Sequence, residues 1–204
     1  MSSTLYVNLF GGPGCGKSTL MASLFVALKK SGHTCEMVTE YVKELVWENR
    51  LEELDNQHHI ARMQYRAFSA RKGKTRFVVT DGPLGNALFY NRHYPHVCDI
   101  EKTEAQVLTW LGDFEHLNLF LTRGDFRYEQ EGRYQTEEQA RAMDDPLWAI
   151  LSQHMPLQRV PAFPCAETLA REIVRVSEER ADSRSATEQF DVACLGRSLP
   201  LPTT

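Results

Sequence analysis

The sequence predicts a single α/β domain of three layers, in which a mainly parallel β-sheet lies between two layers of helices. Short apolar runs with strand character alternate along the chain with longer segments that carry apolar residues at helical spacing. Strands that are joined through helices form parallel sheets with both faces covered. A length of 204 residues also suits one such domain with a sizeable core.

The individual strands and helices follow from these patterns. Strands are expected at 5–10, 34–39, 76–80 and 117–122, with a weaker fifth near 157–160. Helices are expected at 17–30, 42–51, 56–70 and 166–179. Residues 1–179 would form the domain, and the polar residues 180–204 are expected to be a loosely held tail from which Phe190, Val192 and Leu195 could dock.

A glycine-rich stretch, Gly11-Gly12-Pro13-Gly14-Cys15-Gly16-Lys17-Ser18-Thr19, follows the first strand and opens the first helix. It matches the phosphate-binding P-loop pattern G-x-x-x-x-G-K-[ST], in which backbone N–H groups and the helix dipole face phosphate oxygens. A chance match in a glycine-rich turn would lack the flanking strand and helix. The pattern predicts binding of a nucleoside triphosphate, with Lys17 on the β- and γ-phosphates and the Ser18 hydroxyl on Mg²⁺. The residues expected to hold the nucleotide are Gly11, Gly12, Gly14, Cys15, Gly16, Lys17, Ser18 and Thr19.

The composition is that of an ordinary globular protein, with 42% hydrophobic and 25% charged residues and a net charge of −4. This charge argues against indiscriminate binding to nucleic acid or membrane, while leaving room for a local basic groove. The five cysteines are scattered without a C-x-x-C pair, which indicates reduced thiols in a cytoplasmic setting. Neither a secretion signal nor an apolar run long enough to span a membrane is visible.

Polar residues follow the second, third and fourth predicted strands, at the sheet edge where α/β proteins bind ligands. Asp81 ends an apolar strand, where a carboxylate can hold Mg²⁺ near Ser18; the alternative is an Asp that starts a turn with Gly82 and Pro83. Glu40 ends the second strand, where a carboxylate can accept the proton of an attacking hydroxyl. The alternative for Glu40 is a helix cap, and Asp81 competes with it as the general base.

The segment 123–136 is rich in Arg and Gly and poor in aliphatic residues, which is typical of a mobile lid. Its arginines Arg123, Arg127 and Arg133 are candidates to stabilise a transferring phosphoryl group. The spacing does not decide which of them does so, and a solvated surface loop is the alternative. Thr136 and Gln139 form a capping box that predicts the start of a helix.

Two further segments have competing interpretations. The aromatic and His-rich residues 89–96 begin at the ligand-binding edge and could stack on a base, or Leu84, Leu88 and Phe89 could be helix core and the rest a surface turn. The basic residues 71–76 resemble a nucleic-acid patch, but they precede the third strand and so should lie at the opposite edge as a solvated loop.

The order of four motifs resembles a known family. They are the P-loop, Thr39-Glu40-Tyr41, Thr80-Asp81-Gly82-Pro83-Leu84, and Gly132-Arg133-x-Gln135-Thr136-Glu137-Glu138 leading to Asp144. This order, over about 5–176, is similar to small P-loop kinases encoded by bacteriophages, which look related to ribosylnicotinamide and deoxynucleoside kinases. The resemblance implies a P-loop NTPase fold of the nucleoside-kinase type, with ATP and Mg²⁺ as cofactors and a carboxylate such as Glu40 as the base.

The resemblance also implies an acceptor. Some phage members phosphorylate 5-hydroxymethyluracil within phage DNA, while related kinases act on free nucleosides or nucleoside monophosphates. Deoxynucleoside and thymidylate kinases usually carry an Arg after the strand-three acid, where this chain has Gly82-Pro83, and this favours the phage group. The acidic net charge fits a free nucleotide slightly better, but we weight the resemblance more because net charge says little about one groove. Modified DNA in the cytoplasm of a phage-infected bacterium is therefore the expected acceptor.

Two other classes stay open at this point. A P-loop ATPase that remodels a partner protein would need a sensing arginine supplied between subunits, and a GTPase-like switch would need an Asn-Lys-x-Asp guanine reader. The sequence shows neither feature. It gives no prediction of the oligomeric state.

Overall fold

Five parallel strands form one sheet in the order β2-β3-β1-β4-β5. The computed structural model describes residues 3–93, 97–125, 127–161 and 164–194, with the backbone alone for 184–194. The strands are β1 (Leu5–Phe10), β2 (Cys35–Val38), β3 (Phe77–Thr80), β4 (Glu115–Thr122) and β5 (Gln158–Pro161). The central strand β1 is buried along its whole length and pairs with β3 and β4, so that Tyr6 lies opposite both Val78 and His116.

Helices cover both faces of this sheet. They are α1 (Lys17–Lys30), α2 (Tyr41–Trp47), α3 (Gln57–Ser69), α4 (Asn86–His93), α5 (Ile100–Leu111), α6 (Glu137–Ala142), α7 (Asp144–His154) and α8 (Ala166–Cys194), with a 3-10 turn at Leu51–Asp55. Because side chains alternate along a strand, β1 presents Leu5, Val7 and Leu9 to α1 and α8 on one face. Tyr6 and Phe10 point to the other face, against α3, α4 and α7. The predicted three-layer α/β architecture is thereby confirmed.

Local signals account for where several helices begin. The side chain of Asn56 accepts a hydrogen bond from the backbone N–H of His59 (2.9 Å) and caps α3. The side chain of Asp99 accepts one from the N–H of Lys102 (3.0 Å) and caps α5. The capping box predicted at Thr136 and Gln139 is present at the start of α6.

The structure differs from the sequence prediction in four places. One is α7, Asp144–His154, since the sequence analysis had predicted only a helix that starts at Thr136 before the fifth strand. Helices α4 and α5 fill the connection between β3 and β4, which the sequence analysis had not divided into helices. The segment predicted as a helix over 42–51 is split into α2 and the 3-10 turn, with Asn49 between them at φ 55°. Helix α8 continues to Cys194 instead of ending near Glu179, because no Gly or Pro interrupts the sequence from Ala166 to Cys194. Residues 195–204 lie outside the described part of the chain, and a loosely held tail stays a prediction.

The carboxyl ends of the strands meet at one edge, as parallel pairing requires. The P-loop follows β1 at this edge, Glu40 follows β2, Asp81 follows β3 and Arg123 follows β4. The basic residues 71–76 lie at the opposite edge, where the N–H of Leu5 bonds the carbonyl oxygen of Arg76 (2.9 Å) as β1 begins. No helix within the described ranges is both long and apolar enough to cross a membrane.

Candidate active site

The P-loop has the backbone that a phosphate site requires. Gly14 and Gly16 have φ angles of 74° and 92°, in the left-handed region that residues with a Cβ atom rarely adopt. Gly16 immediately precedes α1, so the first N–H groups of that helix open toward the cavity. The N-terminus of a helix attracts anions through these N–H groups and the helix dipole. The residues of the P-loop therefore fit the phosphate groups of a nucleoside triphosphate.

Lys17 is folded over the P-loop. Its ammonium donates hydrogen bonds to the carbonyl oxygens of Gly11 (2.7 Å) and Gly12 (2.9 Å), which centres the charge on the loop. Ser18, Thr19, Gly14 and Gly16 line the same cavity. Gly11, Gly12 and Cys15, which the sequence also assigned to the nucleotide site, are buried and do not line the cavity; the Sγ of Cys15 lies under the loop.

Ser18 and Asp81 are direct neighbours. The Ser18 hydroxyl donates to Oδ2 of Asp81 at 2.5 Å, and the Asp81 side chain is buried, with 3% of the residue exposed. A hydroxyl and a carboxylate are oxygen ligands of the kind that Mg²⁺ takes beside substrate phosphates. The pair thus fits the magnesium site that the sequence predicts.

Glu40 lies between the P-loop and the rest of the cavity. It occupies the N-cap position of α2, but its side chain makes no capping hydrogen bond, so the helix-cap alternative for this carboxylate is wrong. Burial raises the pKa of Glu40; the positive charges of Lys17 and Lys43 oppose this, and the negative charge of Asp81 adds to it. The Glu40 carboxyl is therefore held closer to protonation than an ordinary glutamate, as a general base requires.

Gly82 explains how the two acidic residues come together. A Cβ added to Gly82 would lie 2.5 Å from Cα and 2.8 Å from Cβ of Glu40, closer than real contacts allow. The backbone N–H of Glu40 also donates to Oδ1 of Asp81 (3.1 Å). Gly82 is thus needed for the ends of β2 and β3 to touch.

The three lid arginines have different environments. Arg123 does not line the cavity: its guanidinium pairs with Asp144 and the P-loop backbone, contrary to the expectation of a free lid arginine. Arg127 is exposed and also lies outside the cavity lining. Arg133 lines the cavity, its guanidinium lies 4.9 Å from the centre of the Tyr128 ring, and its buried Nη1 has no hydrogen-bond partner among the described residues.

The cavity has a volume of about 620 Å³ and extends well beyond the P-loop. Its second part, which we call the acceptor half, lies between α2, the 3-10 turn, α3 and α4. Three of its polar groups are amides: Gln57 and Gln64 are buried at 6% and 5% exposure, and the buried Oδ1 of Asn86 has no hydrogen-bond partner in the described structure. The carboxylates Glu52 and Asp55 line it as well. Sequence reasoning missed these residues, although two glutamines seven positions apart on one predicted helix share a face.

For the aromatic segment 89–96 the sequence analysis left two interpretations, helix core or contact with a base, and different residues fit each of them. Phe89 is core, with 2% exposure, and stacks on the His93 ring at 4.1 Å between centroids. Tyr90, in contrast, lines the cavity. Residues 94–96 lie outside the described residues.

The chain resembles known proteins in sequence and in fold. A family model described as "AAA domain" matches residues 6–162, from β1 to β5. A search of the curated proteins found no match. Among solved structures, shikimate kinase from Acinetobacter baumannii in complex with shikimate is 14% identical, with a TM-score of 0.53, over 87% of this chain and 94% of that one. Deoxyadenosine kinase from M. mycoides with bound dATP is 16% identical, with a TM-score of 0.50, over 83% of this chain and 97% of that one. At these identities the likeness concerns the fold, which is that of P-loop kinases.

Proposed function

We propose that this chain, which belongs to the AAA-domain family, is an ATP- and Mg²⁺-dependent kinase that transfers the γ-phosphoryl group of ATP to a hydroxyl of a nucleotide-type acceptor. One observation carries the proposal: a single cavity joins the P-loop to an acceptor half, and Glu40 lies where the two meet. An enzyme that only hydrolysed ATP would not need a second compartment lined by buried amides.

The nucleotide half of the site would hold ATP through the P-loop. Gly14, Gly16, Lys17, Ser18 and Thr19 line it, and the ammonium of Lys17 can leave the loop carbonyls for the β- and γ-phosphates. Ser18 and Asp81 would hold Mg²⁺, which neutralises charge on the phosphate oxygens when bound. These groups act by position and charge, because phosphoryl transfer asks little covalent chemistry of the protein.

Glu40 is the better candidate for the general base. Asp81 is engaged by the Ser18 hydroxyl and the Glu40 N–H, whereas Glu40 lines the cavity and its carboxyl has a raised pKa. In the proposed reaction the acceptor hydroxyl gives its proton to Glu40 as its oxygen bonds the γ-phosphorus. The bond from that phosphorus to the β–γ bridging oxygen breaks, and ADP leaves.

Arg133 is the lid arginine best suited to the transferring phosphoryl group. It is the one of the three candidates that lines the cavity, and its buried Nη1 is unsatisfied among the described residues. A buried donor without a partner is costly, and an anionic oxygen would satisfy it.

The charged residues that line the acceptor half favour one class of acceptor over the others. The resemblance favours 5-hydroxymethyluracil in phage DNA. Among the described residues, however, the acceptor half is lined by the carboxylates Glu52 and Asp55 and the cation Lys43, with Glu40 at its boundary, while Lys17 and Arg133 line the cavity at the P-loop and the lid. These carboxylates would repel a phosphodiester backbone or a monophosphate. The amides of Gln57, Gln64 and Asn86 can bond the edge of a base. A free nucleoside therefore fits this cavity better than DNA does, and we take it as the proposed acceptor.

The test is phosphate transfer from γ-labelled ATP with Mg²⁺, offered in parallel to free nucleosides, nucleoside monophosphates, and duplex DNA with and without 5-hydroxymethyluracil. Label in a free nucleoside supports the proposal. Label in the modified DNA alone would restore the acceptor that the resemblance implies. Free phosphate with no labelled acceptor would leave an ATPase or nucleotide switch that acts on a partner protein.

A further inference from the structure

One ion pair joins the start of the lid to the first residue of α7. Arg123 follows β4 where the lid begins, and Asp144 opens α7 just beyond it. The guanidinium grips the carboxylate through two bonds, Nε to Oδ2 at 2.8 Å and Nη2 to Oδ1 at 3.0 Å. Such a bidentate pair is geometrically specific as well as strong.

Both members of this pair also hold the P-loop backbone. Oδ1 of Asp144 accepts the N–H of Gly12 at 3.0 Å, and Nη1 of Arg123 donates to the carbonyl oxygen of Pro13 at 2.9 Å. Nη2 of Arg123 also donates to the carbonyl oxygen of Ala140 at 3.1 Å. Consecutive residues of the P-loop are therefore fixed from outside the cavity, just before the residues that would meet phosphate.

The pair has little freedom to separate. The side chains are 9% and 22% exposed for Arg123 and Asp144, and every nitrogen of the guanidinium is engaged. Burial alone would lower the pKa of the Arg123 guanidinium, but its hydrogen bonds and charge attraction to Asp144 outweigh this and raise it. Breaking one partner of such a pair leaves a half-buried charge without compensation.

We propose that Arg123 and Asp144 are positioning residues that hold the P-loop in its nucleotide-binding shape. This inference rests on the proposed use of the P-loop for ATP. The pair keeps the N–H of Gly12 and the carbonyl of Pro13 turned away from the cavity, so that the following N–H groups can turn inward. The pair also ties the start of the lid and the start of α7 to the P-loop, so the segment between them, which carries Arg133, is aligned with the bound triphosphate. Arg123 therefore acts through the loop and not by contact with the transferring phosphoryl group.

The test compares Arg123→Gln, Asp144→Asn and the double variant in the full chain. The control is Glu137→Gln with Arg141→Gln, which removes an exposed ion pair on the neighbouring helix α6. Affinity for Mg·ADP by calorimetry, kcat, KM for ATP and the melting temperature are measured for each. We expect each single variant to bind ADP about ten- to a hundredfold more weakly. The double variant should lose no more ADP affinity than the single variant that binds ADP most weakly, because the two residues act as one unit. The control should bind ADP as the wild type does.

The outcomes separate the possible failures. The inference would be overturned if Arg123→Gln lowered kcat with unchanged ADP affinity while Asp144→Asn changed neither quantity. That result would indicate that Arg123 contacts the transferring phosphoryl group directly. Wild-type protein that binds no nucleotide would overturn the proposed function and the inference with it.

Hydrogen exchange on the wild type provides a test that does not depend on the folding of variants. The Gly12 amide should be protected without nucleotide, and the amides of Gly16 and Lys17 should gain protection with ADP. A Gly12 amide that exchanges freely without nucleotide would contradict the positioning role.

Discussion

Gly82 lies directly against the backbone of Glu40, so that any side chain at position 82 would occupy space held by the Cα and Cβ of the proposed base. The same two strand ends are joined by the bond from the Glu40 N–H to Asp81. The positions of the proposed metal-binding carboxylate and the proposed base are therefore not independent. A shift in one strand end displaces both.

Gly82→Ala is expected to displace Glu40 and lower kcat about ten- to a hundredfold, because a misplacement of about 1 Å costs on that order in a positioned reaction. Asp81 links this contact to the P-loop through Ser18, so the affinity for ADP is measured without Mg²⁺, where it does not depend on the proposed metal site and should change less than about threefold. Steady-state kinetics and calorimetry on the same preparation measure both. Normal kcat with a methyl group at this position would show that the strand ends yield freely.

Lys17→Ala should reduce turnover by several orders of magnitude, since its ammonium is the cation centred on the P-loop. The matched control is Lys30→Ala, which removes an exposed lysine at the other end of α1. Initial rates with labelled ATP distinguish the two. Near-normal activity of Lys17→Ala would show that the P-loop does not take part in the reaction.

Glu40→Gln should lower kcat about 10² to 10⁴-fold while ADP binding is kept, as expected for loss of a general base. The pKa of Glu40 is raised, so the wild-type rate should fall as the pH drops through a value above the ordinary glutamate pKa of about 4.3, because the protonated carboxyl cannot accept a proton. The variant should lack this inflection in its pH–rate profile. A variant that loses ADP binding and turnover equally would assign Glu40 a structural role.

Arg133→Gln should cost more than Arg127→Gln, because only the former side chain lines the cavity. We expect kcat to fall about a thousandfold for Arg133→Gln, the lower end of the range for arginines that stabilise phosphoryl transfer, and less than about threefold for Arg127→Gln. Single-turnover rates at saturating ATP measure the chemical step. Equal losses would indicate that the lid rearranges to use both arginines.

His116 should make the stability of the fold depend on pH. Its Nε2 lies 3.0 Å from the carbonyl oxygen of Leu111 and its Nδ1 lies 2.8 Å from Nδ2 of Asn8, which together suit a neutral ring that donates once and accepts once. Burial lowers the pKa of His116, the bond to Leu111 partly opposes this, and the charge of Arg180 adds to it.

The sign of this effect follows from proton binding. Below the ordinary histidine pKa of about 6.5 the unfolded chain takes up a proton that the folded ring resists, so unfolding becomes easier as the pH falls. The free energy of unfolding by urea, measured from pH 8 to pH 5, should decline below pH 6.5. His116→Asn should lose part of that decline, whereas His154→Gln, at an exposed position, should keep it. A profile unchanged by His116→Asn would contradict this account.

Much of the fold was predictable because its signals are local. The strand 5–10 has the same limits in the sequence analysis and in the structure, and the P-loop pattern identified the residues between β1 and α1. The same holds for the capping box at Thr136. Helices α4 and α5 were missed because aromatic and polar residues obscure the periodicity of that connection, and their burial depends on packing against α3 and α7.

The amino-acid sequence by itself determined that strands and helices alternate, and it determined the nucleotide-binding loop and the acids Glu40 and Asp81 at the strand ends, because each depends on neighbouring residues and on the parallel connection of strands. Only the tertiary structure decided which lid arginine reaches the cavity. Arg123 is held outside the cavity lining by its ion pair with Asp144, 21 positions later in the chain, whereas Arg133 lines the cavity beside Tyr128. Spacing along a polar loop carries no record of such long-range pairing, because the partner is chosen by the packing of α7 against the sheet.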